Sequence, residues 1–240
     1  MKNSFTICDG YIKYSQLDEF IKNLEKSESS TETCPVFLYP SLKPKKVFSE
    51  TAKFCNKNIF TIKRSLLSLF GFPSYGVHCN VWRKHKDKFI IYFAKRSEKL
   101  KSFPGYIDNT VAGGQPINLS IFENLKKEAY EEAGISRKYL KKVQRGNIVS
   151  YFHNNNNNFI SAVIFNYHLN KVDELKLKNN DGEVESFFSL TLENIYKLLE
   201  KNQLKPNCII PILDFILLND YHFLSKGTIV EIKKILRLDE

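Results

Sequence analysis

A glycine pair followed by an acidic helix constrains this 240-residue chain more than any other feature. Gly113 and Gly114 predict a place where the backbone comes close to another group, because glycine carries no side chain in the way. Ser120 and Glu123 have the spacing of a capping box, which marks the first turn of a helix. Gly134 can adopt the left-handed conformation that ends a helix. The sequence therefore predicts a glycine turn that leads into a helix ending before Gly134.

The predicted helix carries an acidic face and an apolar stripe. Glu128, Glu131 and Glu132 stand at i, i+3 and i+4, so their carboxylates converge on one face. Like charges near a helix C-terminus destabilise an isolated helix, because the helix dipole already disfavours anions there. A divalent cation such as Mg²⁺ or Mn²⁺ would offset that repulsion, since both ions accept oxygen ligands. The apolar stripe, which can pack on a sheet, is formed by Phe122, Leu125 and Ala129.

An E-x-x-E-E pattern alone would fit an ordinary solvated helix face. The flanking glycines extend it to a longer pattern that resembles the Nudix box. That signature runs Gly, five residues, Glu, seven residues, Arg-Glu, an apolar residue, any residue, Glu-Glu, any residue, Gly and an apolar residue. The matching positions in this sequence are Gly113, Glu128, Glu131, Glu132, Gly134 and Ile135.

Two positions depart from the Nudix signature. Leu119 stands where the box has its first glutamate and cannot bind a metal, so fewer or more weakly bound ions are expected. Lys127 replaces the arginine of the box. It keeps the positive charge that can orient a neighbouring glutamate, but it lacks the bidentate fork of arginine. A surface ion pair with Glu123, one helical turn earlier, is the alternative role for Lys127.

Other segments are similar to one Nudix branch, which is related to eukaryotic thiamine pyrophosphokinase proteins. Members of this branch carry an N-terminal domain ahead of the Nudix domain, and some remove phosphate from oxidatively damaged thiamine diphosphate. Leucine and lysine are usual within the branch at the two departing positions. The resemblance covers about the last two thirds of the chain. The similar segments are residues 71–78, 103–114, 181–187 and 204–208, with Asp214 and Phe215.

The resemblance implies an α/β fold, namely a Nudix α/β/α sandwich with a mixed sheet, preceded by a small α/β N-terminal domain. We expect residues 1–72 to form the N-terminal domain and residues 73–240 to form the Nudix domain. Residues 72–76 have the composition of a turn and mark this boundary. Hydrophobic spacing predicts helices over 15–26, 64–70, 192–200 and 209–218, and strand pairs joining 77–82 with 89–94 and 143–152 with 159–169.

The resemblance also implies hydrolysis of a phosphoanhydride in a small diphosphate, with Mg²⁺ or Mn²⁺ as cofactor. Glu128, Glu131 and Glu132 would be the metal ligands. The general base that activates water would be Glu131, Glu132 or Glu183. Glu183 is preferred to Glu185, although both glutamates follow a turn and could simply belong to a strand edge.

Substrate-binding residues are expected around the glycine pair and at the end of an earlier strand. Asp108 and Asn109 lie just before the glycine pair, in a segment distinctive of the branch, and the backbone of the pair itself would contact the ligand. Lys95 and Arg96 end a predicted strand and could hold phosphate, although basic strand ends are common on protein surfaces. Trp82 could stack on an aromatic ring, but packing in the core is its more ordinary use.

Composition predicts a modest cytoplasmic enzyme. No apolar run approaches the roughly eighteen residues of a membrane span, and the first residues lack the apolar core of a signal peptide. The five cysteines are scattered, which predicts reduced thiols. The net charge of +10 suits a phosphate-bearing substrate and is also compatible with RNA. Because the lysines are spread along the chain, nucleic acid is not the expected partner.

The sequence leaves three functions open. The first is a pyrophosphohydrolase that converts thiamine diphosphate or its oxidised forms to the monophosphate and phosphate. The second is a Nudix hydrolase of a nucleoside diphosphate derivative, such as ADP-ribose or a capped RNA end. The third is a binding module without catalysis, which the departures at Leu119 and Lys127 would explain. No membrane partner is expected, and the oligomeric state is not indicated.

Overall fold

Within the residues that the structure describes, seven strands form one mixed sheet with helices on both faces. The computed structural model describes residues 4–7, 10–13, 33–36, 60–64, 67, 72–117, 119–155, 158–219, 224–236 and 238. The first four strands form two separate antiparallel pairs: β1 (Ser4–Ile7) with β2 (Gly10–Lys13), and β3 (Thr33–Val36) with β4 (Phe60–Lys63). The sheet strands are β5 (Pro73–His85), β6 (Lys88–Arg96), β7 (Ile107–Asn109), β8 (Val111–Gly114), β9 (Gln144–Asn155), β10 (Asn158–Asn170) and β11 (Val184–Thr191). The helices are α1 (Ile121–Ala133), α2 (Arg137–Leu140), α3 (Leu192–Glu200), α4 (Ile209–Leu218) and α5 (Lys226–Ile235), with a 3-10 turn at Pro206–Cys208.

The sheet has the strand order β11-β6-β5-β10-β9. The short strands β7 and β8 pair with β6 and β5, respectively. β10 runs parallel to β5, and the other pairs in the sheet are antiparallel. A parallel pair requires a long crossover connection, and α1 lies within the one between β5 and β10. The predicted mixed sheet is therefore confirmed.

The helix α1 forms as its sequence predicts. The Ser120 side chain accepts a hydrogen bond from the backbone N–H of Glu123 at 3.1 Å, and Gly134 ends the helix with φ 66°. The apolar stripe is buried at Leu125 and Ala129, against a core that includes Val77 of β5. The carboxylate of Glu123 forms ion pairs with Lys126 and Arg137. Both helix ends were therefore readable from local sequence.

Helices α3 and α4 cover the opposite face of the sheet. Ile212 and Phe215 of α4 are buried with Ile91 and Phe93 of β6. Trp82 joins this cluster, where its ring lies 5.3 Å from that of Phe215. With α1 on one face and these helices on the other, the predicted α/β/α sandwich is confirmed. The predicted helices over 192–200 and 209–218 and both predicted strand pairs are present.

Residues 72–76 were predicted as a turn, and that prediction is wrong. The strand β5 begins at Pro73 instead. Proline is compatible with this position, because its missing N–H costs little at the start of a strand. The predicted helix over 15–26 lies outside the described residues, and the helix over 64–70 is described only at Arg64 and Leu67. The domain boundary at 72/73 stays a prediction. No helix in the described part of the chain is long and apolar enough to cross a membrane.

Candidate active site

A cavity of about 650 Å³ opens beside the acidic face of α1. Charged groups of both signs line it, together with apolar and aromatic side chains. The carboxylates among the described residues are Glu128, Glu131, Glu132, Asp181 and Glu183. The cations are Arg64, Arg96, Lys127 and Lys205, and the apolar side of the lining includes Leu67, Phe72, Tyr75, Tyr151, Ile160 and Ile164. The structure thus brings together the glutamates that helical spacing predicted to converge.

The glycine pair sits against the acidic face, as its predicted close approach requires. A Cβ atom at Gly113 would lie 2.2 Å from Cγ and Cδ of Glu128. Carbon atoms cannot approach that closely, so any larger residue would displace the Glu128 side chain. The first glycine of the pair is therefore needed because a glutamate occupies the space of its side chain.

Glu132 is the most deeply buried of the three helix glutamates, with 6% of its surface exposed. Burial raises the pKa of Glu132 to about 8, although the N–H of Ala112, 2.7 Å from Oε2, lowers it. The negative charges of Asp108, Glu128 and Glu183 raise it further. Buried carboxylates that repel each other in this way favour a bound cation, which would stabilise their ionised forms.

Lys127 lies among these glutamates. Its Nζ atom is 2.6 Å from Oε2 of Glu131 and 3.2 Å from Oε1 of Glu128. The alternative prediction, an ion pair between Lys127 and Glu123, is wrong, because Glu123 pairs with Lys126 and Arg137. Lys127 therefore keeps the orienting contact with glutamates that its position in the box implies.

The donor set suits Mg²⁺ or Mn²⁺. Both ions take carboxylate oxygen, and Glu128, Glu131 and Glu132 offer such oxygens to the same cavity. As the side chains stand, the described residues contain no group of three His, Cys, Asp or Glu that could hold a metal ion. Two of the glutamates are turned towards Lys127 instead. The carboxylate oxygens and the raised pKa of Glu132 fit a divalent cation. To bind it together, Glu128 and Glu131 must turn away from Lys127.

The two glutamates of the downstream loop have different surroundings. Glu183 lines the cavity, whereas Glu185 forms an ion pair with Lys95 at 2.9 Å, outside the cavity lining. Lys95, a predicted phosphate-binding residue, is therefore not part of this cavity. Arg96 does line it, but its guanidinium is already engaged by Asp108 and by two carbonyl oxygens of the 102–103 loop.

Asp108 and Asn109 lie behind the cavity wall, where both are buried. Burial alone would raise the pKa of Asp108, but the positive charge of Lys205 helps to lower it to about 2. Oδ2 of Asp108 accepts hydrogen bonds from Lys205 at 2.8 Å and from Arg96 at 3.1 Å. Of these two predicted substrate-binding residues, Asp108 thus holds Lys205 and Arg96, and Asn109 contacts another lining residue, His78.

Three polar residues that line the cavity, Arg64, His78 and Lys205, were not among the predicted site residues. Arg64 donates from Nη2 to the carbonyl oxygen of Gln115 at 3.1 Å, and a Cβ at Gly114 would lie 2.1 Å from its Nη1. The second glycine of the pair therefore leaves room for the guanidinium of an arginine 50 positions earlier in the sequence. Of the three, His78 and Lys205 had a sequence signal, because each lies in one of the branch-like segments.

Comparison with known proteins relates the chain to one superfamily. It is 35% identical to Nudix hydrolase 20, chloroplastic, of Arabidopsis thaliana over 158 residues, which cover 65% of this chain and 42% of the relative. It is 33% identical to Nudix hydrolase 24, chloroplastic, of the same plant, with 65% and 43% covered. Over 65% of its length, the chain is thus similar to two Nudix hydrolases. The chain spans less than half the length of these two relatives, and no family model matches it.

A solved Nudix structure is similar at lower identity. It is the NUDIX domain of Shewanella oneidensis NrtR, which was crystallised with ADP ribose. Identity is 12%, the TM-score is 0.45, and the match covers 57% of this chain and 82% of that one. The sandwich and the position of the acidic helix in this chain rest on its own strands and contacts.

Proposed function

We propose that this Nudix chain is a hydrolase that cleaves the phosphoanhydride bond of a small diphosphate, leaving a monophosphate and phosphate. The observation that supports it most is the cavity itself, in which the glutamates of α1 face arginine and lysine side chains. Carboxylates suit a divalent cation, and arginine and lysine suit phosphate oxygens. A metal-bound diphosphate matches both sets of groups.

Glu128, Glu131 and Glu132 are the proposed ligands of Mg²⁺ or Mn²⁺. When bound, the ion would neutralise charge on the diphosphate oxygens and lower the pKa of a bound water. Lys127 would orient Glu128 and Glu131, since its Nζ atom contacts both carboxylates. The backbone of the glycine pair would lie against the substrate.

Cations at other points of the cavity would bind phosphate oxygens. Lys205 has 16% of its side chain exposed and is held by Asp108, so it presents a fixed charge to the cavity. Arg96 is held by the same carboxylate. Fixed charges of this kind cost little reorganisation when a phosphate arrives. We assign Asp108 to positioning these two side chains, whereas the side chain of Asn109 contacts His78.

Glu183 is the general base that we favour over Glu131 and Glu132. It lines the cavity, and its carboxylate has no hydrogen-bond partner among the described residues. In this step a water oxygen forms a bond to phosphorus, its proton passes to Glu183, and the bond to the bridging oxygen breaks. Glu131 and Glu132 remain the alternatives, because both also line the cavity.

For the substrate we propose thiamine diphosphate or one of its oxidised derivatives. This choice follows the resemblance to the branch related to thiamine pyrophosphokinase proteins. It is supported by the aromatic and apolar part of the cavity, where the partly exposed Tyr151 could contact a heteroaromatic ring. A nucleoside diphosphate derivative such as ADP-ribose carries the same two kinds of group and is the alternative.

We further propose that residues 1–72 form a domain of their own that also lines the site. Arg64 and Leu67 from this part reach the cavity. The proposed compartment is the cytoplasm, where the buried free thiols of Cys79 and Cys208 would stay reduced. The names of the two Arabidopsis relatives assign those proteins to the chloroplast.

The test is a substrate panel with product identification. Thiamine diphosphate, its oxidised analogues, ADP-ribose and nucleoside diphosphate sugars are each incubated with Mg²⁺ and, in parallel, with EDTA. We expect Mg²⁺-dependent release of phosphate and a thiamine monophosphate. Turnover restricted to the nucleotides would contradict the substrate proposal and leave the hydrolase proposal. No turnover of any compound would favour a binding module.

A further inference from the structure

A chain of buried polar side chains leads from the cavity into the core, and the proposed hydrolysis uses none of its hydrogen bonds. It begins at His78, which lines the cavity and has 4% of its surface exposed. Nδ1 of His78 lies 2.8 Å from Oδ1 of Asn109. Nδ2 of Asn109 lies 2.9 Å from Oδ1 of Asn80, and Nδ2 of Asn80 lies 2.8 Å from the carbonyl oxygen of Pro211.

Backbone carbonyl groups fix the direction of each hydrogen bond in this row of side chains from His78 to Asn80, because carbonyl oxygens can only accept. The Pro211 carbonyl requires the amide nitrogen of Asn80 on its side, so Asn80 presents its oxygen to Asn109. Asn109 must then donate through Nδ2, which also lies 3.3 Å from the carbonyl oxygen of Cys208. The oxygen of Asn109 therefore faces His78, and Nδ1 of His78 must carry a proton.

The other ring nitrogen of His78 is then an acceptor. Burial lowers the pKa of His78 to about 4, and the positive charge of Lys205 acts in the same direction. A neutral imidazole carries a single ring proton, so a proton on Nδ1 leaves Nε2 with a free lone pair. Nε2 forms no hydrogen bond with the described residues. It is also not among their polar side-chain atoms that are both fully buried and without a partner, so it is accessible. Because His78 lines the cavity, a bound molecule there can supply the partner of this lone pair.

We propose that His78 is a substrate-binding residue whose Nε2 atom accepts a hydrogen bond from an N–H or O–H group on the organic part of the substrate. Phosphate oxygens near neutral pH are themselves acceptors, so they are poor partners for a bare nitrogen. His78 thus binds the organic group, while Lys205 and the other cations bind the phosphates. The inference rests on the proposed function only in taking the ligand to be a phosphate ester or anhydride with an organic head group.

Two substitutions distinguish the role of Nδ1 of His78 from the role of Nε2. In His78→Asn the amide nitrogen can replace Nδ1 in the bond to Asn109, while the Nε2 position is left empty. In His78→Gln the side chain reaches the Nε2 position with an oxygen that can accept. His85→Asn is the matched control, since His85 is exposed at the end of β5.

We expect His78→Asn to raise the KM for the preferred panel substrate on the order of tenfold, because one hydrogen bond to the substrate is lost. kcat should change little, His78→Gln should recover part of the loss, and the control should match the unaltered protein. A KM for His78→Asn equal to that of the unaltered protein would overturn the proposal.

Nitrogen NMR of the full chain labelled with ¹⁵N-histidine tests the same assignment without turnover. At pH 7 we expect His78 to have a protonated Nδ1 and an unprotonated Nε2. Thiamine monophosphate or AMP should shift the Nε2 signal, and inorganic pyrophosphate should not. A protonated Nε2, or an Nε2 that responds to neither monophosphate, would refute the role of His78. A responding Nε2 in a protein that hydrolyses nothing would count against the proposed function alone.

Discussion

At the scale of single residues, the cavity depends on where side chains are missing as much as on where they are present. Gly113 leaves the space that Glu128 fills, and Gly114 leaves the space that Arg64 fills. One glycine accommodates a neighbour from α1, and the other accommodates an arginine from a distant part of the chain. Small changes at this pair should therefore affect the charged groups before they affect the fold.

Gly113→Ala should lower activity more than stability. The new Cβ would lie 2.2 Å from two carbon atoms of Glu128, so this side chain must move, and misplacement of a site group by about 1 Å can cost 100-fold in rate. We expect kcat/KM to fall at least about tenfold, measured by phosphate release. Gly227→Ala in α5 is the control, because a Cβ there meets its nearest atom at an ordinary 3.6 Å. Equal kcat/KM values for the two variants would show that the site does not depend on the space that Gly113 leaves for Glu128.

Asp108→Asn should destabilise the protein in a pH-dependent way. The pKa of Asp108 is lowered from 3.8 to about 2, so its ionised form adds about 2 kcal/mol to the free energy of unfolding above pH 4. That contribution is lost as the pH falls towards 2. Urea unfolding at pH 7 should show a lower free energy for the variant, and the difference should shrink at pH 3. A difference that is the same at both pH values would argue against the Asp108 ion pairs with Lys205 and Arg96.

The glutamates of α1 could be predicted because their relation is local. Residues three and four apart on a helix share a face whatever surrounds them. Arg64, His78 and Lys205 could not be found this way, because they reach the cavity from separate strands and loops. Lys95 and Arg96 look equivalent in sequence, but successive residues of a strand point to opposite sides, and only Arg96 lines the cavity.

At the scale of elements, the helices with strong local signals were predictable and the short strands were not. Helix α4 is almost wholly apolar and its bounds agree with its prediction. Strand β11 was not predicted, because much of it is exposed and it alternates poorly between apolar and polar residues. β7 and β8 are three and four residues long, which is too short for a periodic pattern.

Gly134→Ala tests the C-terminal end of α1. Gly134 has φ 66°, where a Cβ atom is unfavourable, and that atom would also lie 2.9 Å from the carbonyl oxygen of Lys178. A left-handed conformation costs an ordinary residue about 1–2 kcal/mol, so the free energy of unfolding should fall by about that much. Gly134→Asn should cost less, because asparagine tolerates this conformation better. If urea unfolding gave both variants the stability of the unaltered protein, the helix end would not depend on this residue.

At the scale of the whole molecule, the cavity combines the seven-stranded sheet, the helix α1 and residues from before the sheet. Arg64 follows β4 directly, in the part of the chain that we assigned to an N-terminal domain, yet it contacts Gln115 and the glycine pair. The two proposed domains would therefore share one site. The sequence could not predict this arrangement, because no local pattern in residues 60–64 indicates a contact with residues 50 positions later.

Arg64→Ala should weaken substrate binding. The guanidinium lines the cavity with donors to spare, and a hydrogen bond to a charged group contributes about 1.5–3 kcal/mol. KM should rise at least about tenfold with kcat little changed, as steady-state kinetics would measure. Arg137→Ala is the matched control, since Arg137 is exposed and pairs with Glu123 outside the cavity. A normal KM for Arg64→Ala would mean that Arg64 only supports the glycine pair.

The rate of Mg²⁺-dependent phosphate release by Glu132→Gln, measured beside Glu185→Gln, shows whether the acidic face of α1 carries out the hydrolysis. Glu132 is buried at the cavity, and Glu185 forms an ion pair with Lys95 away from it. We predict that Glu132→Gln loses at least about 100-fold in kcat, as removal of an electrostatic group from an active site does. Glu185→Gln should keep the rate of the unaltered protein. Full Mg²⁺-dependent activity in Glu132→Gln would contradict the claim that this cavity is a hydrolytic Nudix site.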